Sequence, residues 1–175
     1  MSQLRQMQLQ YQPIQDRLVL RISTEDHQEF AFWLTRRLLQ MLWPALVKGL
    51  ASHTDVVLQH DPGGREAVMA FKHEAAAATA DFGKPYQEDP AAKRPLGERP
   101  LLVARADVRR ADAGRLILGL RPAEGRGVEL ALTDELLHNL CRLLSDGVQQ
   151  TGWGLALEVA QDEGDAMPVA GRPVN

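Results

Sequence analysis

The sequence predicts an α+β fold: an internally duplicated strand-strand-strand-helix unit, the copies related by a pseudo-two-fold, with an inserted helix between them. Three observations carry that expectation. Residues 16–50 and 114–148 align without a gap at an offset of 98, with ten identities in 35 positions. Inside each copy the apolar period changes from two residues to about 3.6, the change from strand to helix. A Leu-Thr pair stands at that change in both copies, Leu34-Thr35 and Leu132-Thr133.

Each element has its own local reason. Met7, Leu9 and Tyr11 alternate with glutamines and predict a first strand. Leu18, Leu20 and Ile22 alternate with Arg17, Val19 and Arg21 and predict a second. The polar run from Ser23 to Gln28 turns the chain, and Phe30, Phe32 and Leu34 resume the alternation. Thr35 then offers its hydroxyl to the free amides of a helix's first turn. Leu38, Leu39, Met41, Leu42, Trp43, Leu46 and Val47 give that helix an apolar surface wide enough for burial on two sides. Pro44 lacks an amide and is expected to kink or break it, and Gly49 to stop it with a positive φ.

The second copy repeats the plan. Leu102, Ala104, Ala106 and Val108 are expected to point inward from its first strand, one residue of turn length apart from the first copy. Leu116, Leu118 and Leu120 form the next strand, and Val128, Leu130 and Leu132 the third. Thr133 caps a helix whose first turn carries Asp134 and Glu135, where the helix dipole favours negative charge, and Gly147 is its expected stop. Leu38, Leu42 and Leu46, with Leu136, Leu140 and Leu144, are expected to be buried between the sheets and helices.

The organisation is thus one domain over 1–160, with repeats at 3–51 and 101–149. Between them lie a helical insert at 61–83, read from Ala67, Val68, Phe71, Ala75, Ala78 and Phe82, and a Pro-rich loop at 84–100. Trp153, Leu155, Leu157 and Val159 predict a last strand, and 161–175 a flexible tail.

Composition narrows the function. Hydrophobic residues at 45% and charged residues at 25% are those of a folded chain, not a disordered one. No apolar run reaches the length of a bilayer span and no secretory signal pattern opens the chain. The single cysteine, Cys141, forms no internal disulfide, which points to a cytoplasmic location. A net charge of −3 argues against bulk polyanion binding.

Catalytic patterns are missing. None of the four serines, Ser2, Ser23, Ser52 and Ser145, lies in GxSxG, and no phosphate-cradling glycine loop is present. Cys141 sits on a leucine-rich helix and reads as a buried structural thiol. His73-Glu74 opens like HExxH, but Ala77 stands where the second histidine is needed. His53, His60 and His73, with nearby carboxylates, are the one constellation that could hold a metal or serve an enzyme. No catalytic residue, metal ligand or cofactor is assigned.

Charge is unevenly spread. Residues 93–126 carry a net charge of +5, leaving −8 for the rest. Strand alternation places Arg105, Arg109, Arg115 and Arg121 outward in the second copy, and Arg17, Arg21 and Trp33 outward in the first. Arginines with an aromatic on an open sheet face are a means of binding single-stranded nucleic acid, although no RRM, OB or KH signature accompanies them. The expected function is therefore a non-enzymatic protein-interaction module: an adaptor, accessory subunit or self-associating scaffold. Single-stranded nucleic-acid binding is the alternative, and an enzyme or metal site at the three histidines is the second alternative. A membrane partner is not expected.

Overall fold

A computed structural model describes residues 4–51, 64, 67–68, 86–111 and 115–158. The first half runs β1 (Leu4–Gln12), β2 (Arg17–Thr24), β3 (Glu29–Leu34) and α1 (Arg36–Ala51). The second runs β4 (Leu101–Arg110), β5 (Leu116–Pro122), β6 (Val128–Leu132) and α2 (Asp134–Gln149). The fold is α+β, a six-stranded mixed sheet with two helices in strand order β1-β2-β3-β4-β5-β6. Neighbours are antiparallel except β3 and β4, which run parallel through Phe32–Leu101 and Trp33–Leu102.

The alternation read from sequence sets the sheet's two faces. Leu18, Leu20, Ile22, Phe32 and Leu34 enter the same buried cluster as Leu116, Leu118, Leu120, Leu130 and Leu132. Pairing registers repeat as well: Leu18 faces Leu34 as Leu116 faces Leu132. Each first strand carries a bulge, between Leu4 and Gln6 and between Val103 and Arg105. An extra residue in one strand reverses the phase of side chains before it. That corrects the expected inward set of β4: Ala106 and Val108 pack on the core, but Val103 replaces Ala104, and Leu102 is 43% exposed.

Both helices start where the threonines predict. Thr35 Oγ1 accepts from the Leu38 amide at 3.2 Å and Thr133 Oγ1 from the Leu136 amide at 3.3 Å. Single-residue links then send α1 across β4 and α2 back to β1, while α2 also touches β6. The sheet must curl for one helix to reach both of its edge strands. Neither glycine ends its helix: α1 continues to Ala51 and α2 to Gln149, and neither Gly49 nor Gly147 has a positive φ. They are needed for close approach. A Cβ on Gly49 would stand 2.5 Å from Leu116 Cδ1, and one on Gly147 would stand 2.5 Å from Leu9 Cδ2.

Pro44 does not break α1, which runs unbroken from Arg36 to Ala51. Pro44 and Gln40, whose carbonyl loses a partner to the missing amide, both lie on the exposed side, where water can satisfy it. The wide apolar surface expected of α1 is buried at Leu38, Leu39, Leu42, Trp43 and Leu46, but Met41 is 67% exposed. In α2, Leu140 and Leu144 are buried and Leu136 only partly so.

The Pro-rich loop is tied down over 86–100. Lys93 makes a parallel bridge to Gln28, and His27 Nδ1 lies 2.6 Å from Asp89 Oδ2. Of the inserted helix, Gly64, Ala67 and Val68 are helical, and Val68 packs against the core; its remaining residues lie outside the described ones. The last strand expected at Trp153 is not formed over 153–158, and Val159 and the tail at 161–175 lie outside the described residues. Instead 153–158 is a strap. Ser145 Oγ donates to the Leu157 carbonyl at 3.0 Å and Trp43 Nε1 to the Glu158 carbonyl at 3.1 Å. Trp153 meets Tyr11 edge-on at 6.3 Å, and its indole donates to Asp16 Oδ1 at 2.7 Å. Strap carbonyls taken up by α1 and α2 side chains have no need of a neighbouring strand.

Truncating Leu42 or Leu140 to alanine is expected to lower unfolding free energy by about 2–5 kcal/mol, the range for a buried leucine. Chemical denaturation measures it, and a loss below about 1 kcal/mol at both sites would place these leucines at a surface. The strap titrates separately. The hydrogen bond from Trp153, then that from Tyr11, with attraction to Arg36, outweighs desolvation and holds the Asp16 carboxyl below its ordinary 3.8. A carboxylate depressed in the fold binds fewer protons than its unfolded counterpart, so stability rises with pH there. The contribution is complete above pH 3.8 and is lost as pH falls through the lower folded-state value. The Trp153 indole resonance in an NMR titration should report that step, and Asp16→Asn should remove it.

Candidate interaction surfaces

The sheet face turned away from the helices holds every residue of the expected nucleic-acid surface, yet in altered circumstances. Arg121 bonds Asp107 through Nη1 and Glu129 through Nη2, the latter at 3.0 Å, and Arg109 reaches Glu129 at 2.7 Å. Two arginines and two carboxylates thus alternate across β4, β5 and β6. Gly119 stands opposite Asp107, and a Cβ there would come within 2.7 Å of Asp107 Oδ1, so the glycine makes room for the carboxylate. These side chains are 36–51% exposed, where an ion pair contributes about 0–1 kcal/mol. Their consequence is electrostatic: the charges of Arg109 and Arg121 are balanced within the sheet. Arg105 and Arg115 form no ion pair with a described residue.

In the first half, Arg21 meets Glu88 at 3.0 Å, and Arg17 and Trp33 are partly buried. Trp33 pairs in register with Val19 on one side and Leu102 on the other. A stacking platform needs an open ring face, which a partly buried indole offers only in part. Val19 and Ile117, on this same face, are only 3% and 2% exposed, so it is not the wholly solvated layer that alternation alone implies. At its β2–β3 end, Glu29 is buried beside Arg94, 3.5 Å away. Burial, with the Glu29 carboxylate nearby, pushes the Tyr86 hydroxyl above its ordinary range.

Two hydroxyls donate to carboxylates: Thr24 Oγ1 to Asp26 Oδ1 at 2.6 Å and Tyr11 Oη to Asp16 Oδ1 at 2.9 Å. The Ser145 hydroxyl is engaged by Leu157 and Cys141 is fully buried. The His27–Asp89 pair is the nearest to an acid-base couple. The hydrogen bond from His27, then that from the Ala91 amide, holds Asp89 below its ordinary range. Both groups stand at a loop without a hydroxyl or thiol bonded to the ring. Among the described residues no group of three or more His, Cys, Asp or Glu could hold a metal ion, and no helix is long and apolar enough to cross a membrane. His53, His60 and His73 lie outside the described residues.

A surface that sequence reasoning missed lies on α1. Arg37, Gln40, Met41, Pro44, Lys48 and Ala51 are all exposed. Arg37, Met41, Pro44 and Lys48 follow one another at helical spacings of four, three and four, which makes them one stripe. The signal was present: Met41 is flanked on its own stripe by two cations and a proline. Counting it with the leucines hid that. At the same offset α2 is different, with His138 and Asn139 buried at 3% and 9% exposure. Asn139 Oδ1 has no hydrogen-bond partner there among the described residues.

No protein family, curated protein or solved structure matches this chain.

Cys141 gives the core a chemical reporter. Burial pushes its thiol from an ordinary 9.0 up to about 12. A thiol reagent at pH 8 is therefore expected to react only as the protein opens, at a rate that rises with denaturant. The folded state holds the proton longer than the unfolded state, so stability should fall as pH rises above 9.0 toward about 12. Prompt stoichiometric labelling of the native protein would put Cys141 at a surface.

Proposed function

We propose that this chain is a non-enzymatic protein-interaction module, built by duplication of one strand-strand-strand-helix unit, whose docking surface is the exposed stripe of α1. The duplication is supported by matched registers, by bulges at equivalent points of β1 and β4, and by threonine caps at equivalent points. Reciprocal packing supports the pseudo-two-fold: Gly49 of the first half seats on Leu116, and Gly147 of the second half lies against Leu18, the residue equivalent to Leu116. Because β3 and β4 are parallel, the strands of the two halves run in the same directions.

One observation carries the functional reading. Met41, 67% exposed, sits between Arg37 and Lys48 on a helix with no acidic residue. Met41 and Pro44 supply a small apolar centre and Arg37 and Lys48 a charged edge on either side, the layout of a contact surface. Single-stranded nucleic-acid binding is the weaker reading, favoured by Arg105 and Arg115 but reduced by the balanced charges of Arg109 and Arg121. Two phosphate contacts would give a log-log salt slope of only about −1.4.

A photo-crosslinking amino acid at position 41, compared with one at position 33, separates these. Protein adducts at 41, lost in Arg37→Glu/Lys48→Glu while the melting temperature holds, are the expected outcome. Nucleic-acid adducts at 33 and none at 41 would refute the reading.

A further inference from the structure

The two edges of the sheet are finished differently. β6 is an edge of five residues, Val128–Leu132, whose outward Glu129 is tied to Arg109 and Arg121. β1 is an edge of nine residues, Leu4–Gln12, and among the described residues its backbone is bonded only along β2. The amides and carbonyls on its other side are an open template for a further strand. We propose that this edge binds a second copy of the chain, β1 against β1 in antiparallel register about Leu9, joining two six-stranded sheets into one.

The strand is symmetric in polarity. Gln6 to Gln12 reads QMQLQYQ. An antiparallel pair centred on Leu9 sets Leu9 against Leu9, Met7 against Tyr11, Gln8 against Gln10 and Gln6 against Gln12 of the second copy. Residues opposite one another in such a pair share a face. The register with β2 assigns those faces: Met7, Leu9 and Tyr11 oppose Ile22, Leu20 and Leu18 on the core side, and Gln8, Gln10 and Gln12 oppose Arg21, Val19 and Arg17 on the outer side. Apolar therefore meets apolar, and amide meets amide, along the whole segment. Each glutamine amide both donates and accepts, so two of them satisfy each other. A two-fold axis normal to the sheet generates this pairing and closes it at two copies.

The centre is set by the ends of the segment. A bulge between Leu4 and Gln6 stops regular pairing on one side, and Pro13, which has no amide to give, stops it on the other. A centre at Gln8 or Gln10 also keeps like against like, but it pairs five positions of Gln6–Gln12 instead of seven.

Charge and apolar exposure agree with this occupant. Gln6 to Gln12 carries no charge, so two copies meet without repulsion along the edge. Met7, Leu9 and Tyr11 are only partly buried, although Leu9 lies under Gly147 of α2. The most exposed large apolar side chain among the described residues, Ile14 at 94%, stands in the turn just past the strand. Centring on Leu9 carries that turn toward Leu4 of the second copy, itself partly buried. A helix lying across a strand does not block its edge, since β4, with α1 across it, still pairs with β3. The edge shares no residue with the α1 stripe, so the two surfaces stand or fall separately.

Sedimentation equilibrium of the full chain tests this, with a monomer–dimer equilibrium expected. Gln8→Glu/Gln10→Glu sets like charges opposite one another twice per dimer and should raise the dissociation constant about tenfold or more. Gln8→Glu/Gln10→Lys sets opposite charges in both places and should bring it back to within about threefold of the unmodified chain. Within one chain position 8 faces Arg21, so glutamate there meets a cation in both variants and the melting temperature of dilute protein should hold. Amide exchange gives a readout without substitution: it should slow with protein concentration at residues 6–12 and not at residues 128–132. A monomer at every concentration up to about 1 mM overturns the proposal. So does a dimer that the two variants weaken alike or leave alone, or one that Arg37→Glu/Lys48→Glu abolishes. Growth beyond two copies overturns it as well, because the two-fold uses up the edge.

Discussion

Both helices seat on the sheet through close approaches at a glycine, Gly49 against Leu116 and Gly147 against Leu9 and Leu18. Each helix follows its strand after one residue, so its starting point and direction are nearly fixed. It can settle only if its far end is allowed to sink onto the sheet. A methyl at either glycine would stand 2.5 Å from the tip of a leucine side chain, so that leucine or the helix would have to shift. Helix propensity works against glycine here by about 1 kcal/mol relative to alanine, so packing decides the residue.

That seating makes the two halves inseparable. Because α1 covers β4 and α2 covers β1, neither three-stranded sheet is closed by its own helix. Leucines of both halves belong to one buried cluster. The strap adds a third tie, running from Tyr11 and Asp16 at the β1–β2 turn to Trp43 on α1. Asp16 has a φ of 47°, a left-handed conformation that aspartate tolerates better than most residues, and its carboxylate accepts from both Tyr11 and Trp153. One turn residue thus joins a hairpin to a segment 137 positions away.

Much of the scaffold was legible because its causes are local. Alternation fixed which face of β2, β3, β5 and β6 is buried, and the threonines fixed where both helices begin. What stayed hidden depends on neighbours distant in sequence. In LVARADV of β4 the alanines fit either phase, so only pairing with β5 reveals the bulge before Arg105. Gly49 and Gly147 resemble helix stops until the strands beneath them are known. Arg109 and Arg121 resemble free cations until register brings Glu129 and Asp107 alongside. Their charges are balanced within the sheet, and Met41, counted with the wide apolar surface of the helix, is exposed.

The two helices have similar buried stripes and opposed outer ones. Where α1 has Arg37 and Lys48, α2 has Glu135 and Asp146, and where α1 exposes Met41, α2 buries Asn139. The core explains the first fact, since Leu42 and Leu140 answer to the same packing in equivalent places. It cannot explain the second, because outer positions are free of that constraint. Opposed charge distinguishes the two outer stripes. On α2, Asp146 is paired with Arg142 at 3.5 Å, whereas α1 carries cations and no acidic residue, which makes a face-to-face pairing of two α1 helices repulsive. Two helices that contribute to one interior can in this way differ in the charge they present outward.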